Sequence, residues 1–584
     1  MESQNCQNCK MAFTIDSEDL SFYEKIQVPQ PTFCYLCRAQ RRMSFRNERK
    51  LFRVKDAFTG KEIFSLYPPE ANCKVITSEE WYGDSWDGTE YGHDYDFSRP
   101  FLEQLFELDK KVPVLNLNVA LMQRSDYCAN ADNLKDCYLV FASQFTENSL
   151  YCTSTNESKD CMDTSLITGG ERCYECFWIQ NCSQCYFTIM SVESRNLWFC
   201  RDCKGCSDCF GCTNLRQSSY CIFNKQYTKE EYKKEIEKLR LDTRTGIKEA
   251  HMKTRAFWDT QIVKYQQGLR NLNTTGSYVT DSKNIHDSFL IREGENLRYC
   301  QNMEIPGNKD CMDVYEWGEK TELCYETSGV GTNAYNVQFS YDCWPSVSSC
   351  QYSMHLRGCS DCFGCVGLKK KQYCIFNKQY SKEEYEALVP KIIEQMNTLP
   401  YVDAKGRIYK YGEFFPIELS PYGYNNTVAA DFFPITDAEA KVQAYPWIEV
   451  ERNTYAITKK QSDLADSIHE VDDSILKKII ECEQCAKPYR ILQNELSLLR
   501  RESLPLPTLC IECRHARRIS DRLKINLYER ICMCGGLNDT TMTYKNTRTH
   551  IHGGNFCGEK FKTGYSSDRL EIVYCEQCYQ NEVA

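Results

Sequence analysis

Between residues 119 and 226 the apolar positions fall into short aromatic and β-branched runs, CYLVF, CFWI and CYFTIM, separated by Asn, Ser, Asp and Gly. Runs this short, bounded by turn residues, predict strands rather than helices. Their cysteines recur at one fixed interval: Cys128, Cys152, Cys176 and Cys200 are evenly spaced, and Cys137, Cys161, Cys185 and Cys209 repeat the same spacing. A period of this kind marks a solenoid. The expectation is a parallel β-helix with one rung per cysteine interval, its cysteines stacked in inward ladders at the strand spacing of about 4.8 Å.

The pattern changes at YCIFNKQY, residues 220–227. Thr228 followed by Glu231 predicts a capping box, and KEEYKKEIEKL then reads as helix, continuing helical to about residue 272. Such a helix covers the open end of a solenoid, which is otherwise an unpaired edge. Residues 273–380 repeat the plan. KDCMD recurs at 309–313 after 159–163, CSDCFGC at 359–365 after 206–212, and YCIFNKQY at 373–380, with Ser381 and Glu384 as a second capping box. This array is degenerate: Cys300 and Cys324 keep the interval of the first array, but Ser288 stands where Cys137 predicts cysteine.

The two ends carry a different pattern. Cys6-x2-Cys9 is followed by Cys34-x2-Cys37, and Cys482-x2-Cys485 by Cys510-x2-Cys513 at the same separation. Each CxxC makes one tight knuckle that delivers two thiolates, so each set suits a tetrahedral S4 zinc site. The copies also share Pro29, Pro31 and Thr32 with Pro505, Pro507 and Thr508. A basic helix starting at the second knuckle favours a treble clef over a plain zinc ribbon. A third site is built on Cys575-x2-Cys578, with Cys557 as third ligand because Phe561 follows it as Phe13 follows Cys9. Its fourth ligand comes from Cys534, Cys532, His552 or His550; we select Cys534 as half of a knuckle split by an insertion. Residues 51–118 contain DAFTGKEI and a lone Cys73, which read as a ribbon without a ligand set. There, WYGDSWDGTEYGHDYDFSRP reads as an ordered aromatic loop and FLEQLFELDKK as a short helix.

The chain therefore divides into a zinc ribbon or treble clef (1–50), a mixed linker with a degenerate ribbon (51–118) and a first β-solenoid (119–226). A helical cap (227–272), a second β-solenoid (273–380), a capping helix (381–398) and a Pro- and Tyr-rich connector (399–470) follow. A second ribbon or treble clef (471–530) and a C-terminal zinc ribbon (531–584) complete a mixed, mainly β architecture.

Composition sharpens this reading. The 37 cysteines are the anomaly. MESQNCQNCK has no apolar core of a signal peptide, and no apolar run reaches a membrane span. The cysteines are therefore expected reduced in the cytoplasm, as zinc ligands or small buried side chains; export with disulfides is the rival reading. Cys203, Cys206, Cys209, Cys212 and Cys221 form a dense cluster that reads as inward core, with a metal centre as alternative. The net charge of −10 confines any nucleic-acid role to a local patch. Such a patch exists in sequence: residues 38–55 hold eight Lys or Arg and one acid. Arg38, Arg41, Arg42 and Arg46 recur as Arg514, Arg517, Arg518 and Arg522, at a spacing that forms one face of a helix. Guanidinium forks suit phosphate. Asp136, Asp160 and Asp208, with Gln184, precede the ladder cysteines. They read as rung corners before they read as a glycan-cleaving acid–base pair.

CIFNKQYTKEEY, CIFNKQYSKEEY, YKYGEFFPIELSPYGYN and EIVYCEQCYQNEV carry a resemblance to a family of uncharacterised cysteine-rich zinc-ribbon proteins from small-genome bacteria. It spans nearly the full length and implies no activity. No Walker loop, G-x-S-x-G elbow or H-E-x-x-H motif is present. The sequence points to a non-enzymatic zinc-binding modular protein, with RNA, a ribonucleoprotein or a protein as partner. A β-helix enzyme acting on glycans and a metal-buffering or redox-sensing protein are the alternatives.

Overall fold

Every third residue across the first array has left-handed backbone: Asn130 (φ 50°), Asn133 (53°), Asp136 (55°) and Leu139 (52°) begin a series that runs to Phe223 (46°). Only Gly, Asn and Asp enter this region at low cost, and they fill many of the corners. The computed structural model, which describes residues 2–449, 455–535, 544, 546–553 and 555–583, shows what the corners build. Thr153 pairs in parallel with Ser165, and Ser165 with Phe177, so one coil of the solenoid runs from Thr153 to Thr164. Four corners close each coil, and the residue after each corner points inward. The rung expected from the cysteine interval is thus two coils. Cys137, Cys161, Cys185 and Cys209 do lie on one ladder, but Ser149, Cys173 and Leu197 alternate with them and Cys221 continues it. Cys128, Cys152, Cys176 and Cys200 likewise alternate with Val140, Thr164 and Thr188 and lead to Cys212.

The interior chemistry explains the cysteines. The amide of each inward residue points into the coil, away from the strand ladder, and a buried amide needs an acceptor. Where the inward residue one coil earlier is Ser, Thr or Cys, its side chain supplies it. Cys161 N–H donates to Ser149 Oγ (3.1 Å), Cys206 N–H to Ser194 Oγ (3.1 Å) and Val140 N–H to Cys128 Sγ (3.4 Å). The same hydroxyl or thiol donates back to the carbonyl two residues earlier, just before the corner, as Thr188 Oγ1 does to Tyr186 O (3.1 Å) and Cys176 Sγ to Tyr174 O (3.4 Å). Cys, Ser and Thr are interchangeable here because each carries a donor–acceptor atom directly on Cβ. Ser194→Ala is therefore expected to orphan the Cys206 amide and cost about 1–3 kcal/mol, while Ser194→Cys stays near wild type. Denaturant midpoints check this; an alanine variant as stable as the cysteine variant would refute the mechanism.

The second array follows the same rule with uneven coils. Phe289 pairs with Gln301, Leu297 with Cys311 and Met312 with Tyr325, so the coil lengthens and shortens along the array. The insertions place Cys300 on a ladder with Ser288, Val314 and Thr327, and Cys324 on another with Cys311. The matching interval between Cys300 and Cys324 does not put them on one ladder. Beyond the last coils, capping boxes open the helices Lys229–Lys238 and Lys382–Thr398. Tyr232 of the first packs against Phe210 and Ile222. The helical stretch after residue 240 ends at Trp258, and Ile262–Lys264 is a strand paired with Ile572–Tyr574 of the C-terminal unit.

The two solenoids lie side by side and run in opposite senses. Asn118 at the start of the first bonds Asp342 late in the second (3.1 Å). Phe177 and Trp178 meet Tyr278, and Asp202 and Lys204 lie beside Lys264 and Thr280. Two of the terminal units are exchanged across this pair. The first N-terminal unit packs on the second solenoid and the unit at Ile480–Ser520 on the first, while the unit after residue 51 and the last unit each touch both. The acidic aromatic loop packs as ordered structure over the end of the second: Lys369 Nζ donates to Trp81 O (2.9 Å), and Lys371 pairs with Asp87 (2.7 Å). Among the described residues no helix is long and apolar enough to cross a membrane.

Candidate metal centres

Each terminal unit starts from an antiparallel strand pair, joined by a tight turn in the units at Glu2–Ile15 and Ile480–Tyr489 and by a long insertion between Tyr528–Ile531 and Lys560–Thr563. In the first, strands Glu2–Asn5 and Ala12–Ile15 pair antiparallel and the turn carries Cys6 and Cys9. Cys34 is the N-cap of the helix Tyr35–Met43, and Cys37 lies in its first turn. That helix end favours thiolate. Two backbone bonds fix the geometry: Gln7 N–H to Thr32 O (3.0 Å), and Cys34 N–H to Cys6 Sγ (3.3 Å). The later unit repeats both, with Glu483 N–H to Thr508 O (3.0 Å) and Cys510 N–H to Cys482 Sγ (3.2 Å).

The thiols converge. Cys6, Cys9, Cys34 and Cys37 form one group, and Cys482, Cys485, Cys510 and Cys513 another, each with all ligand atoms within 4.8 Å of one another. Cys9 and Cys34 Sγ are 3.7 Å apart, as are Cys485 and Cys510. Burial opposes ionisation of Cys482, but the amides of Cys510, Cys485 and Gln484 lower its thiol to about 7. These quartets can hold a metal ion.

At the C-terminus the structure groups Cys532, and not Cys534, with Cys557, Cys575 and Cys578. Cys532, Cys557, Cys575 and Cys578 form the third all-cysteine group. Cys575 N–H donates to Cys532 Sγ (3.3 Å), the bond that marks Cys6 and Cys482. Cys532 is therefore the first knuckle residue, in the place given to Cys534 from sequence. Cys534 turns to the other side and meets His550, His552 and Cys578 in a fourth group. The signal was in the sequence: Cys532 follows the strand Tyr528–Ile531 directly, as Cys6 follows Glu2–Asn5.

The unit after residue 51 has the same backbone without cysteine ligands. Strands Phe52–Lys55 and Glu62–Ser65 pair, and Ala57 N–H donates to Val75 O (2.8 Å). Asp56 stands in the place of Cys6. Its Oδ2 accepts from Thr77 N–H (3.1 Å), the N-cap position matching Cys34, and its Oδ1 from Thr59 N–H (2.7 Å). Hydrogen bonds among Asp56, Thr59, Thr77 and Glu80 thus stand where the other units carry their quartet. Cys73 lies apart from these positions.

The arginines do not form a solvent-facing stripe. Arg38, Arg41, Arg42, Arg46, Arg514 and Arg518 are buried. Arg38 and Arg42 grip Asp313 (2.8 and 2.9 Å), Arg41 and Arg42 grip Glu326 (2.9 and 3.1 Å), and Arg46 pairs with Glu316 (2.7 Å). In the other half Arg514 and Arg518 grip Asp163 (2.6 and 3.0 Å), and Arg517 reaches Glu175 (2.7 Å). Arg522 lies 3.7 Å over the Phe432 ring and donates to Asp431 O (3.0 Å). Asp313 and Asp163 close the two KDCMD segments. The helical spacing was legible; it docks each quartet-bearing helix on a solenoid distant in sequence. Tyr151 OH to Glu495 (2.9 Å) and Tyr299 OH to Asp19 (3.1 Å) complete the matched contacts.

Inside the solenoids, Cys203, Cys206, Cys209, Cys212 and Cys221 are buried ladder residues; among the described residues the four convergent groups all lie in the terminal units. Asp136, Asp160, Gln184 and Asp208 are corners, with φ of 55°, 55°, 54° and 52°. Asp136 pairs with Arg124 (2.5 Å), and Asp208 accepts from Asn196 (2.7 Å). Asp160 accepts from Asn148, so each carboxylate is engaged by the coil before it, as a corner requires. No protein-family model and no curated protein matches the chain.

Proposed function

We propose that this is a non-enzymatic, cytoplasmic protein whose terminal units are zinc-holding treble clefs and whose paired solenoids present a rigid surface to a protein partner. The closed thiolate quartets carry the reading. Four thiolates fill a tetrahedral zinc and leave no position for substrate or water, which is the arrangement of a structural site. Reduced thiols and an unoxidised cysteine interior suit the cytoplasm. RNA or a ribonucleoprotein takes second place because the arginines that would hold phosphate already hold carboxylates.

The test is affinity purification of the full chain from its native host, with and without nuclease, followed by a binding titration against RNA at low salt. The reading expects a nuclease-resistant protein partner. It expects no RNA binding that falls steeply with salt, the mark of phosphate contacts. Nuclease-sensitive recovery with such a salt slope would overturn the protein reading in favour of RNA. Hydrolysis of a glycan would overturn it in favour of an enzyme.

A further inference from the structure

We propose that the C-terminal unit holds two metal ions bridged by the Cys578 thiolate. The proposal rests on the zinc reading of the quartets and adds a second site beside the third of them. Cys578 belongs to two groups at once: Cys532, Cys557 and Cys575 on one side, Cys534, His550 and His552 on the other.

The spacings on the second side are those of ligands around one ion. Zn–S and Zn–N bonds of ordinary length set tetrahedral edges of about 3.8 Å between sulfurs and about 3.6 Å between sulfur and nitrogen. Cys534 Sγ lies 3.3 Å from His550 Nδ1 and 3.6 Å from His552 Nε2, and His552 Nε2 lies 3.3 Å from Cys578 Sγ. On the first side Cys557 and Cys575 Sγ are 3.8 Å apart.

A second, independent feature is the support behind these ligands. His550 presents Nδ1 to the group and its other nitrogen, Nε2, to Glu582 (2.8 Å). Both side chains are fully buried. Thr547 N–H and Oγ1 also donate to Glu582 (3.0 and 2.8 Å), which fixes the carboxylate. A carboxylate on the far nitrogen sets the tautomer and orientation of a metal-binding histidine. Behind Cys534, Asn546 Nδ2 donates to the sulfur (3.0 Å), and Tyr574 OH holds Asn546 Oδ1 (2.5 Å). A donor aimed at sulfur stabilises thiolate.

Charge favours sharing. A dication with four thiolates carries a net charge of −2. Two dications with five thiolates and two neutral imidazoles carry −1 between them, so the bridge reduces the buried charge of the centre. Both ions have filled tetrahedra, so the pair is a structural clasp. It ties Cys534, His550 and His552 to the helix Glu576–Val583, whose Tyr579 OH bonds Asp202 of the first solenoid (2.5 Å).

Zinc measured per chain on the full protein tests this. Wild type is expected to hold four ions, with His552→Gln and Cys534→Ser each holding three. Cadmium-exchanged wild type is expected to give four ¹¹³Cd resonances, two of them mutually split through the shared sulfur. That measurement stands even if a variant fails to fold. Three ions in wild type, unchanged in His552→Gln, or three unsplit resonances would overturn the bridge and leave the quartets intact. Zinc near zero would overturn the zinc reading itself.

Discussion

Cys34→Ala is expected to release one metal ion and to loosen the second solenoid while the first stays intact. Cys6, Cys34 and Cys37 belong to a large buried cluster that continues through Tyr23 and Phe33 into Tyr325 and Phe339 of the second solenoid, so loss of a bound metal is expected to loosen that packing. Binding energies of structural zinc are about 10–16 kcal/mol, far above the contribution of any single side chain here. Cys34 caps the helix that carries Arg38 and Arg42, and those arginines satisfy Asp313 and Glu326. Losing the metal therefore releases the latch as well as the knuckle. Hydrogen exchange should speed up in the coils around residues 309–331 and remain slow around 151–180. Cys510→Ala should give the reverse pattern. Uniform loss of protection in both solenoids, or none, would contradict the exchanged docking.

Asp313→Ala is expected to cost about 3–5 kcal/mol, because it leaves two buried guanidinium groups short of a partner. Asp163→Ala should cost a similar amount through Arg514 and Arg518. Zinc content should be unchanged in both. Replacing the whole group, Arg38, Arg42 and Asp313, with apolar residues of matched volume should cost much less, since buried ion pairs seldom add net stability over good packing. Their evident use is to set which solenoid face each helix accepts. Chemical denaturation of the single and combined variants checks the ordering. A near-neutral Asp313→Ala would show that the pairs do not hold the interface.

The quartets were legible because metal ligation fixes both residue type and spacing. The solenoids were legible as solenoids, but their coil was read at twice its length. Ser149, Val140, Thr164 and Leu197 occupy the alternate inward positions, and a count of cysteines alone passes over them. Ser and Thr do what Cys does there, donating to a corner carbonyl and accepting from the next inward amide. At the Cys, Ser and Thr positions the repeat is chemical, a small side chain with a polar atom on Cβ, while Val140 and Leu197 fill the same ladders as apolar side chains. Insertions obscured the second array in the same way, since the lengthened coil between Leu297 and its partner Cys311 shifts every later ladder.

The arginines show where local reading stops. Their spacing predicted one helix face, and they do share one. The aspartates that meet that face lie 275 residues away for Arg38 and 351 for Arg514, and even Glu495, which also meets Arg514, lies 19 residues off in another element. At the C-terminus, the insertion between Cys534 and Cys557 hid which cysteine begins the knuckle. The strand immediately before Cys532 was the better guide than the distance to the next ligand.

The most direct test of the account is the zinc-to-sulfur ratio of the native protein, purified without chelator. The 37 cysteines and 13 methionines supply the internal standard. The account predicts at least three zinc ions per chain from the thiolate quartets and four with the shared Cys578 centre. Zinc near zero, with the chain still folded, would contradict it.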